Sequence, residues 1–187
     1  MSSENIETMQ SIVADIATEF TLYSQLFVKP ESIDLLNKTA ATVFSSYQRS
    51  LLNTIYISIS RILDPATSSS DKDSNLSFNF LIKELKLTEN KELSELLSNT
   101  QQLFVATGIK KYRNKVISHN DLRTIKNKTQ HLSLNYDDLT LLIHNLWALL
   151  NMIRFVSGET DVLMTTGTEI IMYDDGDNLL DCLRNRI

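Results

Sequence analysis

Apolar positions recur at helical spacing along most of the chain. Ile6, Met9, Ile12, Val13, Ile16, Phe20 and Tyr23 follow one another at mostly three- and four-residue intervals, so they share one helix face. That helix must end before Pro30, whose ring cannot sit in a helix interior. Leu51, Ile55, Ile59 and Ile62 repeat the period in a second, longer stretch, ESIDLLNKTAATVFSSYQRSLLNTIYISISRIL. Its second half is rich in β-branched residues, but the pattern runs too long for a strand, and a helix to Asp64-Pro65 is expected. A Ser/Asp-rich loop, 66–77, leads to a short helix in FNFLIKELKL. Thr88 then reads as an N-cap. Leu93, Leu96, Leu97, Leu103, Phe104, Tyr112, Val116 and Ile117 continue from it for about thirty residues, with Gly108 as the point where the helix would split. A polar, basic connection follows. Asn135 reads as the cap of DDLTLLIHNLWALLNMIRFV, the most apolar helix, which Gly158 should stop.

These elements predict an all-α fold, an up-and-down bundle of four to five helices over 1–158. The tail, 159–187, changes character. It reads as an extended piece, a turn at Asp175-Gly176 and a final amphipathic turn or two, packing on the bundle or on a dimer partner.

Composition supports helices, since the 187 residues include only 4 Gly and 2 Pro. No uninterrupted apolar run of membrane-spanning length occurs, and the N-terminus, MSSENIETMQ, lacks the basic and apolar regions of a secretory signal. The lone cysteine, Cys182, fits a reducing compartment, so a cytoplasmic protein is expected. Three histidines and one cysteine without metal-ligand spacing predict no metal and no cofactor. The acidic groups Asp137/Asp138 and Asp174/Asp175/Asp177 fall in a helix's first turn and in a turn, where neither needs a ligand.

Charge changes the picture more than composition does. Residues 110–128 hold seven basic residues against Asp121 alone, a net +6 within a chain of net charge −5. The remainder therefore carries −11. Such an island is either a solvated loop or the landing point of a local anion, and the acidic remainder would repel nucleic acid elsewhere.

The island contains YRNKVISHND, residues 112–121. RNA is cut when its 2′-hydroxyl is deprotonated and attacks the adjacent phosphate. A histidine can take that proton near neutral pH, and an arginine fork can hold the charge that develops on the phosphoryl oxygens. Arg113, Asn114 and His119 supply a cation, an orienting amide and a base. Six residues on an ideal α-helix turn Arg113 and His119 about 120° apart. Either the helix ends near Ser118, or two protomers complete the site across a twofold axis. The same residues could equally cap and turn a helix C-terminus, where cations complement the dipole. Arg61 and Asp64, at i and i+3, could form a local salt bridge or support the site.

RNKVISH and the HND that completes it resemble the R-x(4–6)-H signature of HEPN domains. SRILDPA (60–66) and NLSFNFLIKEL (75–85) are similar to the abortive-infection-associated, AbiU2-like branch of that family. The resemblance spans roughly residues 40–155. It implies an all-helical, dimeric bundle acting as a metal-independent endoribonuclease, in phage defence or as the toxin of a toxin–antitoxin pair. It also implies RNA, such as tRNA, as the substrate, with an antitoxin or regulatory protein as a further partner and no membrane. Arg113 and His119 would be the catalytic pair and Asn114 their polar partner. Lys110, Lys111 and Lys115 would draw the RNA backbone, and Arg61, Asp64, Asn120 and Asp121 would support the site. The HEPN toxins paired with minimal nucleotidyltransferases carry a tyrosine where this chain has Asp121, so silencing by nucleotide transfer is not implied. Many HEPN domains are not nucleases, which leaves a non-catalytic RNA- or protein-binding module as the alternative.

Overall fold

The structure, a computed structural model, describes residues 2–65, 75–117, 135–161 and 175–185. Helix α1 (Ser2–Phe27) and helix α2 (Pro30–Leu63) form a hairpin, broken by a two-residue link because Pro30 has no N–H to donate and suits a helix's first turn. The β-branched second half of α2 is helical, as the length of its pattern predicts. Ala40 departs from helical backbone (φ −161°, ψ 71°) and kinks α2. Beyond Leu36 and as far as Ser50 this helix is mostly exposed, with Phe44 packed on the Leu26–Phe27 end of α1 and Tyr47 edge-on to Phe27, before Leu51 enters the core.

Helix α3 (Phe78–Glu84) starts on Ser77, whose hydroxyl accepts from the Phe80 N–H. It ends with Lys86 in the left-handed region (φ 58°). The Leu87 N–H bonds to the Ile82 carbonyl at 2.9 Å, closing the last turn. Helix α4 (Lys91–Ala106) is capped by Asn90, whose side chain accepts from the Leu93 N–H. Thr88, which the sequence put forward as that cap, lies two residues too early, and Asn90 has the better-placed carbonyl oxygen. The long helix expected through 117 breaks at Gly108 (φ 71°), and a short helix α5 (Ile109–Tyr112) runs into a π-helical turn, Arg113–Ile117.

Helix α6 (Tyr136–Val156) lies antiparallel to α1. Tyr136 stacks on Phe20, with ring centroids 5.3 Å apart, and its hydroxyl meets Ser24 at 2.9 Å. At the other end Arg154 donates to Gln10. Asn135 caps α6 and Gly158 (φ 76°) stops it, both as the sequence predicts. The Glu159 N–H reaches back to the Arg154 carbonyl at 2.9 Å. By length and mean hydropathy α6 is the one described helix that could cross a membrane. Its apolar face, with Leu139, Leu142, Ile143, Leu146, Leu149, Leu150 and Ile153, is buried against α1, α3 and α4, as in the central helix of a bundle.

A second, smaller cluster joins Leu26, Phe27, Leu36, Leu51 and Leu180. Leu180 belongs to helix α7 (Gly176–Arg184), which Asp175 caps. The Gln25 amide donates to Asp175 at 2.7 Å and its oxygen accepts from the Gly176 N–H at 3.0 Å. A Cβ on Gly176 would meet the Gln25 oxygen at 2.9 Å and Leu26 Cγ at 3.0 Å, so a side chain at 176 would force the Gln25 and Leu26 side chains to shift. The extended piece read before it, from 162 to 174, lies outside the described residues. All the described regular elements are helical.

One side chain on α1 opposes the fold at neutral pH. Glu19 is half-buried, its Oε2 has no hydrogen-bond partner among the described residues, and burial, aided by Asp15, pushes its pKa from 4.5 to about 7. Folded protein therefore holds that proton more tightly than the unfolded chain does. The stabilising contribution is complete below about pH 4.5 and is lost as pH rises through about 7. Glu19→Gln fixes a neutral side chain and should raise stability by about 1–2 kcal/mol at pH 8, after discounting for partial exposure. For a chain of this size that is a Tm gain of roughly 3–6 °C. At pH 4 the gain should vanish. Thermal melts at the two pH values check it, and an equal gain at both would contradict the proposed cause.

Candidate functional site

The sequence places its cationic motif just after the helix break at Gly108, and the structure shows what fixes it there. Thr107 and the left-handed Gly108 end α4, and Ile109 inserts fully into the core. From that anchor Tyr112 and Ile117 pack against the core as well, which turns Lys110, Lys111, Asn114 and Lys115 outward. Over Arg113–Ile117 the backbone widens into a π turn, so the α-helical arithmetic for Arg113 and His119 does not carry through this segment.

Arg113 points the other way, towards the end of α2. Its Nη1 donates to Asp64 Oδ2 at 2.7 Å and its Nε donates to Asn114 Oδ1 at 3.0 Å. Lys110 Nζ lies 3.7 Å from the other Asp64 oxygen. The Arg113 and Asp64 side chains are 18% and 24% exposed, against 48% for Lys110, so the arginine pair is the shielded one. Proline explains why Asp64 is available. A residue before proline is driven out of the helical region, and Asp64 is extended (φ −67°, ψ 160°), which takes its carboxylate off the end of α2. The cations then also face the negative end of the α2 dipole.

The local Arg61–Asp64 bridge is not what forms. Arg61 is exposed on α2, and the Asp64 carboxylate is engaged by Arg113 and Lys110 instead. Asp64 thus bridges two segments 49 residues apart. Against the described residues, two of the five N–H donors of Arg113 are engaged. A cleft of about 370 Å³ opens beside this pair, lined by Leu63, Pro65, Asn79, Phe104, Val105 and Lys110. His119, Asn120 and Asp121 lie outside the described residues.

One feature has no motif in the sequence to announce it. A groove of about 530 Å³ runs along α2 and ends at Tyr112, the residue before Arg113. Tyr56 lines it, buried, with its ring edge-on to Tyr112 at 5.9 Å. The signal was a missing charge rather than a motif. From Asn37 to Leu63 the sequence has no acid, and from Leu96 to Ile117 again none.

A family model described as AbiU2, of the HEPN type, matches residues 7–155. No curated protein and no solved structure matches the chain.

Proposed function

This chain belongs to the AbiU2 family of HEPN domains, and from that premise we propose that it is an endoribonuclease that cuts RNA without a metal, in phage defence or as a toxin held by an antitoxin. The observation that carries the reading is the shielded Arg113–Asp64 pair inside the cationic, acid-poor segment. An arginine pinned through one amino group presents the rest of its fork in a fixed direction, and a fixed cation stabilises a developing phosphoryl charge better than a mobile one. In this reading His119 is the base or acid, Asn114 orients the arginine through Nε, and Lys110, Lys111 and Lys115 draw the backbone. Asp64 holds Arg113, and Arg61, Asn120 and Asp121 support the loop ends. Two protomers pack motif to motif, with Val105, 69% exposed beside the cleft, available to that contact. The reaction is transfer of the phosphoryl group from the 5′-linked oxygen to the 2′-oxygen. It leaves a 2′,3′-cyclic phosphate and a free 5′-hydroxyl.

The test is the chemistry of the ends. Purified protein in excess EDTA should cut RNA to products with 2′,3′-cyclic phosphates. Products with 3′-hydroxyls, or cleavage that EDTA stops, would exclude this route.

The same ion pair also supports a second reading. An arginine already neutralised by Asp64 can be a structural brace in a HEPN module that binds RNA or protein without cutting. That module would lose RNA as salt rises and would be indifferent to His119→Ala.

A further inference from the structure

The groove along α2 has no role in the cut itself, yet it is chemically furnished. Ser45, Gln48, Arg49, Asn53 and Tyr56 lie along one stripe of α2 spanning three turns, about 16 Å, and Tyr112 closes the end nearest Arg113. Two amides offer paired donors and acceptors, the half-buried Tyr112 ring offers a face backed edge-on by the buried Tyr56, and one guanidinium offers a phosphate contact. Arg49 is exposed and makes no ion pair among the described residues. Gln48 also reaches Tyr23, which ties the amide to the bundle. Burial, and then the neighbouring Tyr23 and Tyr112, push the Tyr56 phenol well above its usual pKa, so it stays a neutral donor at any working pH.

We propose that this groove is a nucleobase subsite: it takes an unpaired base of single-stranded RNA beside the scissile phosphate, stacking it on Tyr112, which the buried Tyr56 ring backs edge-on, and reading its edge with Gln48 and Asn53. This rests on the ribonuclease reading and adds to it where the strand goes and what it must be. Aromatic faces with nearby amides are how proteins recognise splayed single-stranded bases, and a volume of this order suits a base with its sugar and phosphate. Charge sets the path. The stretch 37–63 holds Lys38, Arg49 and Arg61 and no acid, and 96–117 holds Lys110, Lys111, Arg113 and Lys115 and no acid. Asp64, where the first stretch meets the second, is covered by Lys110 and Arg113. An acidic protein with this acid-free track suits a polyanion better than a second copy of itself.

The test uses full-length His119→Ala protein, so that RNA is bound but not consumed, and a labelled pool of single-stranded RNA containing 4-thiouridine. Adding Arg49→Ala and Asn53→Ala together should weaken binding about tenfold or more, whereas Leu141→Ala, exposed on α6, should leave it unchanged. Photocrosslinks on the protein without the groove changes should map to the peptides holding Tyr56 or Tyr112. Equal affinity with and without the groove changes, or crosslinks confined to other segments, overturns the subsite while leaving the ribonuclease reading intact. Variants that keep RNA affinity but change the sedimentation mass assign the groove to self-association instead and also overturn it. If no form binds RNA at low salt, the ribonuclease reading falls and takes this inference with it.

Discussion

Arg113→Ala should lower the kcat/KM of RNA cleavage by about 10³-fold, the scale seen when a fixed charge or donor is removed from a transition state. The geometry makes a finer claim as well. Asp64 touches Arg113 through a 2.7 Å bond and is proposed to act only by aiming it. Asp64→Ala should therefore cost less, about 10- to 100-fold, because the arginine survives but is no longer held. Combined with Arg113→Ala it should cost almost nothing more, since two residues that act through one contact are not additive. Arg113→Lys should not rescue, because an ammonium cannot bond Asp64 and Asn114 from one rigid plane. Rates on one RNA substrate, with a thermal melt of each variant, decide the matter. A double variant whose loss equals the product of the two single losses would show that Asp64 works independently of Arg113.

The largest effect on stability should come from Phe20→Ala. Phe20 is fully buried at the crossing of α1 and α6 and stacks on Tyr136 at 5.3 Å. Removing the ring forfeits its transfer energy and leaves a cavity that two long packed helices cannot close, a loss of about 3–5 kcal/mol. That is a large share of a typical domain's stability. It corresponds to a fall in Tm of roughly 6–20 °C at this chain length. Leu141→Ala, on a residue 51% exposed, should shift Tm by no more than about 2 °C. Melts of both variants check the contrast, and similar shifts would mean that the packing described for α1 and α6 is wrong.

Most helices could be read from the sequence because local and global signals agree there. Pro30, Pro65, Gly108 and Gly158 each mark a real boundary, and the three- and four-residue spacing of Ile6 to Tyr23 identifies the face that packs. The cap at Asn90 was misplaced to Thr88 because both types cap well and only the backbone decides between them. The kink at Ala40 and the π turn at Arg113–Ile117 had no local signature, since alanine and RNKVI are both compatible with a plain α-helix. The site was half legible. Arg113 and Asn114 stood out by type and charge. The partner of Asp64 did not, because an i,i+3 arginine is visible in sequence while one 49 residues away is not. The groove was missed for a similar reason, as residues of ordinary type gain meaning only when Tyr112 is folded against the stripe on α2.

The most direct test of the central claim is a paired one. Wild-type and His119→Ala protein, matched for Tm and sedimentation mass, are incubated with total RNA and with a tRNA pool in excess EDTA. Cleavage by the wild type, reduced at least about 10³-fold in the variant, is the predicted result. A variant that cuts at the wild-type rate would remove the motif from the centre of the chemistry.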